Sequence, residues 1–257
     1  MPPCPHCPER AACCAVVSAC LGIRHAGAWT CNGRCHIMKQ TAGDFFGADG
    51  TLTDTDRIVL RAPVRSDLAS YIGTFAPGLR DAYLEEGEKG QELREGYWSD
   101  VMSEGSLFCT IVDDACHERA GFCCIEDLAD EDPEIGVRLL PEWRGRGVGA
   151  DAVRALMRGV ERVSGPQAFV AKIDSGNVAS QRLFSGLGFA PVGVDAPIFS
   201  DPSLLALIEE NSLGLIDDRL RALAKELGVE PRTLLSHALV FRREPDARGT
   251  DGPVRRH

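Results

Sequence analysis

Glu134-Ile135-Gly136-Val137-Arg138-Leu139-Leu140-Pro141-Glu142-Trp143-Arg144-Gly145-Arg146-Gly147-Val148-Gly149 is the stretch that decides how this chain folds. Glu134 to Leu140 reads as a strand. Gly147 to Arg162 reads as a helix, with Val148, Ala152, Leu156 and Val160 four apart on one face. A short Gly-rich turn therefore carries a strand into a helix N-terminus. The first backbone N–H groups of a helix lack partners inside it, and in that position they bind phosphate oxygens. Glycine lets the backbone approach the anion closely, and the side chains of Arg144 and Arg146 add positive charge. A dinucleotide-binding turn requires the spacing G-x-G-x-x-G with an acidic residue about 20 positions on. Gly145, Gly147 and Gly149 are each two apart, which misses that spacing, and no Lys-Ser or Lys-Thr follows as a P-loop would require. The plain alternative is a tight connection between strand and helix with no ligand.

Upstream of this stretch, Arg57-Ile58-Val59-Leu60-Arg61 alternates like a strand. Ser66-Asp67 is placed to cap a helix over Leu68 to Phe75. Pro77 interrupts, and a second helical region follows over about Leu79 to Met102, weakened by Gly87, Gly90 and Gly96. Leu107 to Val112 and Ala120 to Ile125 form a hairpin around Asp113-Asp114. Downstream, Phe169 to Ile173 is a strand, Val178 to Leu187 a helix ended by Gly188, and Gly188 to Val192 leads into another strand. The order β-α-α-β-β-β-α-β-α-β predicts an α/β domain with a mixed sheet and helices on both faces. Two short helices, about Ser203 to Asn211 and Asp217 to Leu227, precede a last strand at Ser236 to Arg242.

The domain is expected over residues 51–243, with a helical insert at about 201–228 and a disordered tail at 244–257. Residues 1–50 show no sustained period and are expected to be a disordered or artefactual Cys-rich extension, with Met38 as the natural start. Cys4-x2-Cys7 with Cys31-x3-Cys35, beside His6 and His36, has roughly the pair spacing of a zinc site. Pro5 and Pro8 crowd the first pair, so no metal is expected. Val17-Ser18-Ala19-Cys20 is a poor lipoprotein processing site, because its apolar stretch is short and its leader hardly basic. Cys109, Cys123 and Cys124 lie in apolar strand-like runs and read as reduced core thiols, which points to the cytoplasm. No apolar run approaches the roughly 20 residues needed to span a bilayer, so no membrane partner is expected. The formal net charge of −10 disfavours nucleic acid and suits basic acceptors.

The stretch from Glu134 to Gly149 resembles the acetyl-CoA signature of the GNAT superfamily, Gln/Arg-x-x-Gly-x-Gly/Ala, met by Arg144, Gly147 and Gly149. Asn177 to Phe189 resembles the family's Asn-x-x-Ser-x-x-x-(Tyr/Leu)-x-x-x-Gly-Phe segment. The Glu-Ile-Gly strand opening and the Ile-Val-Leu-Arg run are similar to the branch that acetylates protein N-termini, including those of ribosomal proteins, and some antibiotics or small amines. The resemblance covers about Arg57 to Val194 and the last strand. It implies a GNAT-like mixed, mostly antiparallel twisted sheet, acetyl-CoA as cosubstrate, and an amine acceptor that is a peptide N-terminus or a small molecule. Either a monomer or a homodimer is compatible with it.

By that likeness, the N–H groups of Arg144, Gly145, Arg146, Gly147, Val148 and Gly149 would hold the CoA pyrophosphate. The main chain at Leu139 would pair with the pantetheine arm like an added strand and polarise the thioester carbonyl. Asn177 and Ser180 would bond the pantetheine or its phosphate end, although Asn177 also suits an N-cap. Glu134 is the candidate base, with Asp132 behind it. Tyr97 and Trp98 fall where the family builds its acceptor wall, or else belong to the core. Phe184 stands where many members carry the Tyr that protonates the leaving thiolate, and Phe cannot donate a proton. That departure leaves open a non-catalytic acetyl-CoA-binding module. The insert can cover the acceptor cleft, make a dimer contact or pad the sheet.

Overall fold

A computed structural model describes residues 41–197 and 202–245. The cysteines and histidines with zinc-like spacing, the lipoprotein-type site and Met38 all lie outside the described residues. One eight-stranded sheet runs in the order β1-β2-β3-β4-β5-β6-β8-β7. Its strands are β1 (Thr51–Asp54), β2 (Ile58–Arg61), β3 (Leu107–Asp113), β4 (Arg119–Glu126), β5 (Glu134–Leu139), β6 (Phe169–Ile173), β7 (Ala190–Pro197) and β8 (His237–Arg243). From β1 to β5 neighbouring strands are antiparallel, and β5 pairs parallel to β6. The mixed, mostly antiparallel α/β class expected from the sequence is therefore the fold observed.

Two compact units divide the described chain. The larger contains residues 41–173, 177–193 and 240–245. In it, α1 (Leu68–Gly73), α2 (Pro77–Leu84) and α3 (Glu88–Val101) supply Leu68, Tyr71, Ile72, Phe75, Tyr83, Tyr97 and Val101 to a buried cluster with Phe108, Phe122 and Cys124. Alternation along the paired strands turns Leu107, Cys109, Ile111, Cys123, Ile125 and Ile135 to the opposite face. There α4 (Val148–Ser164) packs its buried Ala152, Val153, Leu156 and Val160 against β1, β2, β4 and β5. Cys109, Cys123 and Cys124 are buried free thiols, as their apolar settings predict.

Three local expectations change. The helical region at 79–102 is two helices, and the break at Glu85–Gly87 uses Gly87 at φ 104°. Pro77 opens α2 rather than interrupting a helix, since the first helical position needs no N–H. Asp67 does not cap α1; its carboxylate turns into the protein and meets Arg61, Arg119, Thr110 and the Val64 N–H. Thr51–Asp54, which lacks the length and apolar content to announce itself, is an edge strand antiparallel to β2.

The smaller described unit comprises residues 174–176, 194–197 and 202–239. It holds α6 (Pro202–Ser212) and α7 (Asp218–Leu227). Asp217 caps α7 by accepting the Leu220 N–H at 2.8 Å, and Gly228 closes it in the left-handed conformation. Among the described residues no helix is long and apolar enough to cross a membrane.

Candidate active site

The Gly-rich turn has the backbone an anion site requires. Gly147 is the N-cap of α4 at φ 82°, ψ −12°, a conformation that costs other residues about 1–2 kcal/mol. Having no side chain, Gly147 leaves the first-turn N–H groups uncapped. Arg144, Gly145, Arg146 and Gly147 are exposed, while Val148 and Gly149 are buried against the domain. A Cβ on Gly149 would lie 3.0 Å from Leu183 Cδ1 and 3.4 Å from Leu139 Cδ1. That close approach brings α5 (Val178–Gly186) against the start of α4 and the end of β5.

The two arginines of the turn are partly committed elsewhere. Arg144 donates Nε to the Leu139 carbonyl at 3.0 Å and an η nitrogen to the Thr74 carbonyl at 3.3 Å. Its side chain thus ties the end of β5 to the end of α1. Arg146 lies 5.5 Å above the Trp143 ring. Sequence reasoning missed Arg57, which donates to the Arg146 carbonyl at 3.0 Å and pairs with Asp151 at 2.6 Å. Arg57 thereby holds the loop onto the first turn of α4 and offsets the negative charge that Asp151 brings beside it. Only its position at the start of β2 hinted at a role.

Between β5 and β6 the register is the single pair Glu134↔Val170, backed by the Val170 N–H donating to the Pro133 carbonyl at 3.1 Å. Among the described residues no further pair follows, which leaves the β5 main chain from Gly136 to Leu139 without a ladder partner on its β6 side. On its other side β5 pairs with β4 along its whole length. Leu139, at the far end of the opening, keeps its carbonyl on Arg144. Asn177 accepts the Ser180 N–H at 3.1 Å through Oδ1 and so caps α5, which leaves its side-chain N–H2 available. The structure therefore brings Leu139, the Gly-rich turn and α5 into one neighbourhood, with Glu134 at the closed end of the opening.

Glu134 forms an ion pair with Lys172, Nζ to Oε2 3.1 Å, and both side chains are largely buried. Asp132, the weaker candidate base, spends both carboxylate oxygens on Arg242 at 3.0 and 2.9 Å. Phe184 is buried edge-to-face on Phe189, centroids 5.1 Å apart, with no hydroxyl in that position. Trp98 packs on the aromatic cluster with the Arg65 guanidinium over its ring. The Tyr97 ring stacks in the same cluster, 5.3 Å from Phe75 and 5.8 Å from Tyr83. Its hydroxyl is buried without a hydrogen-bond partner among the described residues, and burial pushes its proton affinity well above that of ordinary tyrosine. An unsatisfied buried hydroxyl costs about 1–3 kcal/mol. Tyr97→Phe is accordingly expected to raise the melting temperature by a few degrees in thermal unfolding; a lower one would mean that the hydroxyl has a partner.

The model of the acetyltransferase (GNAT) domain matches residues 57–190, more than half of the chain. The chain belongs to the GNAT acetyltransferase family. As a GNAT domain it carries the turn, the parted strands and the capped helix inside the matched segment. No curated protein sequence matches the chain. Among solved structures it is similar to a protein described as a GnaT-family acetyltransferase from Bordetella pertussis, at 20% identity over 74% of this chain and 98% of that one, TM-score 0.48. A protein from Vibrio cholerae described as a ribosomal-protein-serine acetyltransferase is similar at 12% identity over 77% and 98%, TM-score 0.49. Mutant forms of the spermidine/spermine N-acetyltransferase SpeG from Vibrio cholerae are similar at 14% identity over 73% and 94%, TM-score 0.48.

Proposed function

We propose that this GNAT domain transfers the acetyl group of acetyl-CoA to a primary amine, on a protein N-terminus or a small molecule, by direct attack in a ternary complex. The observation that carries this is the opening between β5 and β6 that leads to the uncapped N-terminus of α4. In this assignment the N–H groups from Gly145 to Gly149 receive the CoA pyrophosphate, while the Arg144 N–H is held by the Pro141 carbonyl at 3.3 Å. The exposed β5 edge up to Leu139 pairs with the pantetheine amides, and one of its N–H groups polarises the thioester carbonyl. Asn177 turns its free amide N–H2 to the same arm, beside Ser180. Trp98 borders the acceptor side, with the Tyr97 ring behind it in the aromatic cluster. Glu134 receives the proton the ammonium must lose before its nitrogen can attack. With Phe184 in place of a hydroxyl, the CoA thiolate takes its proton from water.

Incubation with acetyl-CoA, a thiol reagent and a panel of amines tests this. The panel is a peptide beginning with Ala, one beginning with Ser, spermidine and kanamycin. Thiol release with at least one of these amines is the expected result. Saturable acetyl-CoA binding with no release across the panel would instead favour a non-catalytic acetyl-CoA-binding module, the second reading that Phe184 supports.

A further inference from the structure

Glu126 is absent from the sequence-based site, yet it is the residue directly opposite Glu134 in the β4–β5 pairing. Alternation along β4 puts Phe122, Cys124 and Glu126 on one face; their partners on β5 are Arg138, Gly136 and Glu134. That is the face of the aromatic cluster to which Phe122, Cys124 and Tyr97 belong. Side chains directly opposite in an antiparallel pair lie with Cβ atoms about 4.5–5.5 Å apart. Two carboxylates thus share the spot at which the β5–β6 pairing ends, and the Lys172 ammonium beside them pairs with Glu134.

We propose, building on the acetyl-transfer reading above, that Glu126 and Glu134 act as one carboxylate pair, in which Glu134 meets the incoming ammonium and Glu126 stores its proton. The proton of the acceptor's R–NH3+ passes through Glu134, directly or by water, to Glu126. The free R–NH2 then forms the N–C bond, and the C–S bond breaks. The second proton, shed by the nitrogen as the amide forms, goes by way of water to the CoA thiolate. Glu126 returns its proton to solvent between turnovers, so the net products are the amide, CoA thiol and one released proton.

The surroundings of Glu126 fit a proton store. Burial, then the negative charges of Glu134 and Asp127, push its carboxyl up to about 7, against the smaller opposing pull of Lys172 and Arg138. A base is most useful when its proton affinity matches the working pH. The negative charge of Glu134 on the facing position favours the protonated form of Glu126. Glu126 acts through Glu134, and its role is to position and tune the proton rather than to touch the acceptor.

Carbon-13 spectra of glutamate-labelled full-length protein, with no acceptor present, read the pair directly. One carboxyl is expected to titrate near 7 in the wild type, to vanish in Glu126→Gln, and to move to lower pH in Glu134→Gln, where a negative neighbour is lost and Lys172 is released. Thiol release with the best amine of the panel gives the second readout. For the wild type kcat/KM rises with pH to a plateau above about 7. Glu126→Gln shifts that limb toward the ordinary carboxylate range and lowers kcat roughly tenfold or more, with acetyl-CoA affinity unchanged. Glu126→Asp retains part of both. Folding supplies a check that needs no catalysis. A carboxyl raised in the folded state contributes most below its unfolded value and loses that contribution as pH rises toward 7. Glu126→Gln therefore becomes more stable than the wild type above pH 7. No glutamate titrating above pH 6, or a pH–rate profile identical in Glu126→Gln, overturns the pair. A wild type that shows the titration but releases no thiol with any amine overturns the acetyl-transfer reading instead.

Discussion

Asp67→Ala is expected to lower stability by about 3–5 kcal/mol, the range for removing one partner of a buried ion pair. In a domain of this size that is a fall of roughly 10 °C in melting temperature. The Asp67 side chain is fully buried; Arg61 grips it with two nitrogens, each at 2.8 Å, and Arg119 donates through Nε at 2.5 Å. Thr110 donates its hydroxyl to Asp67 at 2.7 Å, which leaves the Tyr71 hydroxyl to donate to Thr110 at 2.8 Å. The Val64 N–H completes the set at 2.9 Å. Removal of the carboxylate strands a buried hydroxyl chain and leaves two guanidinium groups facing each other. Asp67→Asn, which keeps the shape but not the charge, should lose less.

The pH dependence of that difference separates charge from packing. Burial alone would raise the Asp67 carboxyl, but hydrogen bonds from Arg61, Val64, Thr110 and Arg119 outweigh it and hold it well below the usual carboxylate range. A carboxylate depressed in the folded state stabilises fully above its unfolded value, about 3.9, and loses that contribution as pH falls toward the folded one. In urea unfolding the gap between wild type and Asp67→Ala is therefore expected to be widest near neutrality and to narrow below pH 4. A gap of constant size down to pH 2.5 would mean that Asp67 works by filling space.

Gly147→Val carries the largest effect expected on the ligand. The left-handed N-cap costs a side chain about 1–2 kcal/mol. The new Cβ would also sit 3.4 Å from the Arg57 nitrogen that pairs with Asp151. Relief comes by rotating the turn, which re-aims the first N–H groups of α4. Acetyl-CoA affinity, measured by calorimetry, should fall about 10- to 100-fold, each factor of ten being 1.4 kcal/mol. The fold should survive, because Gly147 is exposed and the buried face of α4 begins at Val148. Unchanged affinity in a folded variant would place the CoA pyrophosphate away from this turn.

The features legible in sequence are those with local causes. Period and length marked six of the eight strands; the short edge strand β1 was missed, and β7 was read only as the continuation after Gly188. The three-turn spacing of Val148, Ala152, Leu156 and Val160 marked α4 and its buried face. The glycine turn and the cap of α5 were legible for the same reason: a positive φ at Gly147 and a capping Asn177 are demands of single turns, met by the residues in those turns. Asp67 misled because a Ser-Asp pair before a helix is also what a cap looks like, and only the folded sheet brings Arg61, Thr110 and Arg119 to it.

By itself the sequence determined the order of the elements from β2 onward except the break at Glu85–Gly87, the glycine turn that leads into α4 and the apolar faces that bury them. Backbone conformation and hydrophobic period are written in neighbouring residues, so no distant contact was needed. Only the tertiary structure decided what the charges do. Arg144 is spent on two carbonyls, Arg57 braces the turn from 89 residues away, and Glu134 takes Lys172 while facing Glu126. Those assignments depend on register and on chain crossings. A slip of one residue in the β4–β5 pairing would send Glu126 to the other face, and nothing in the local sequence states that register.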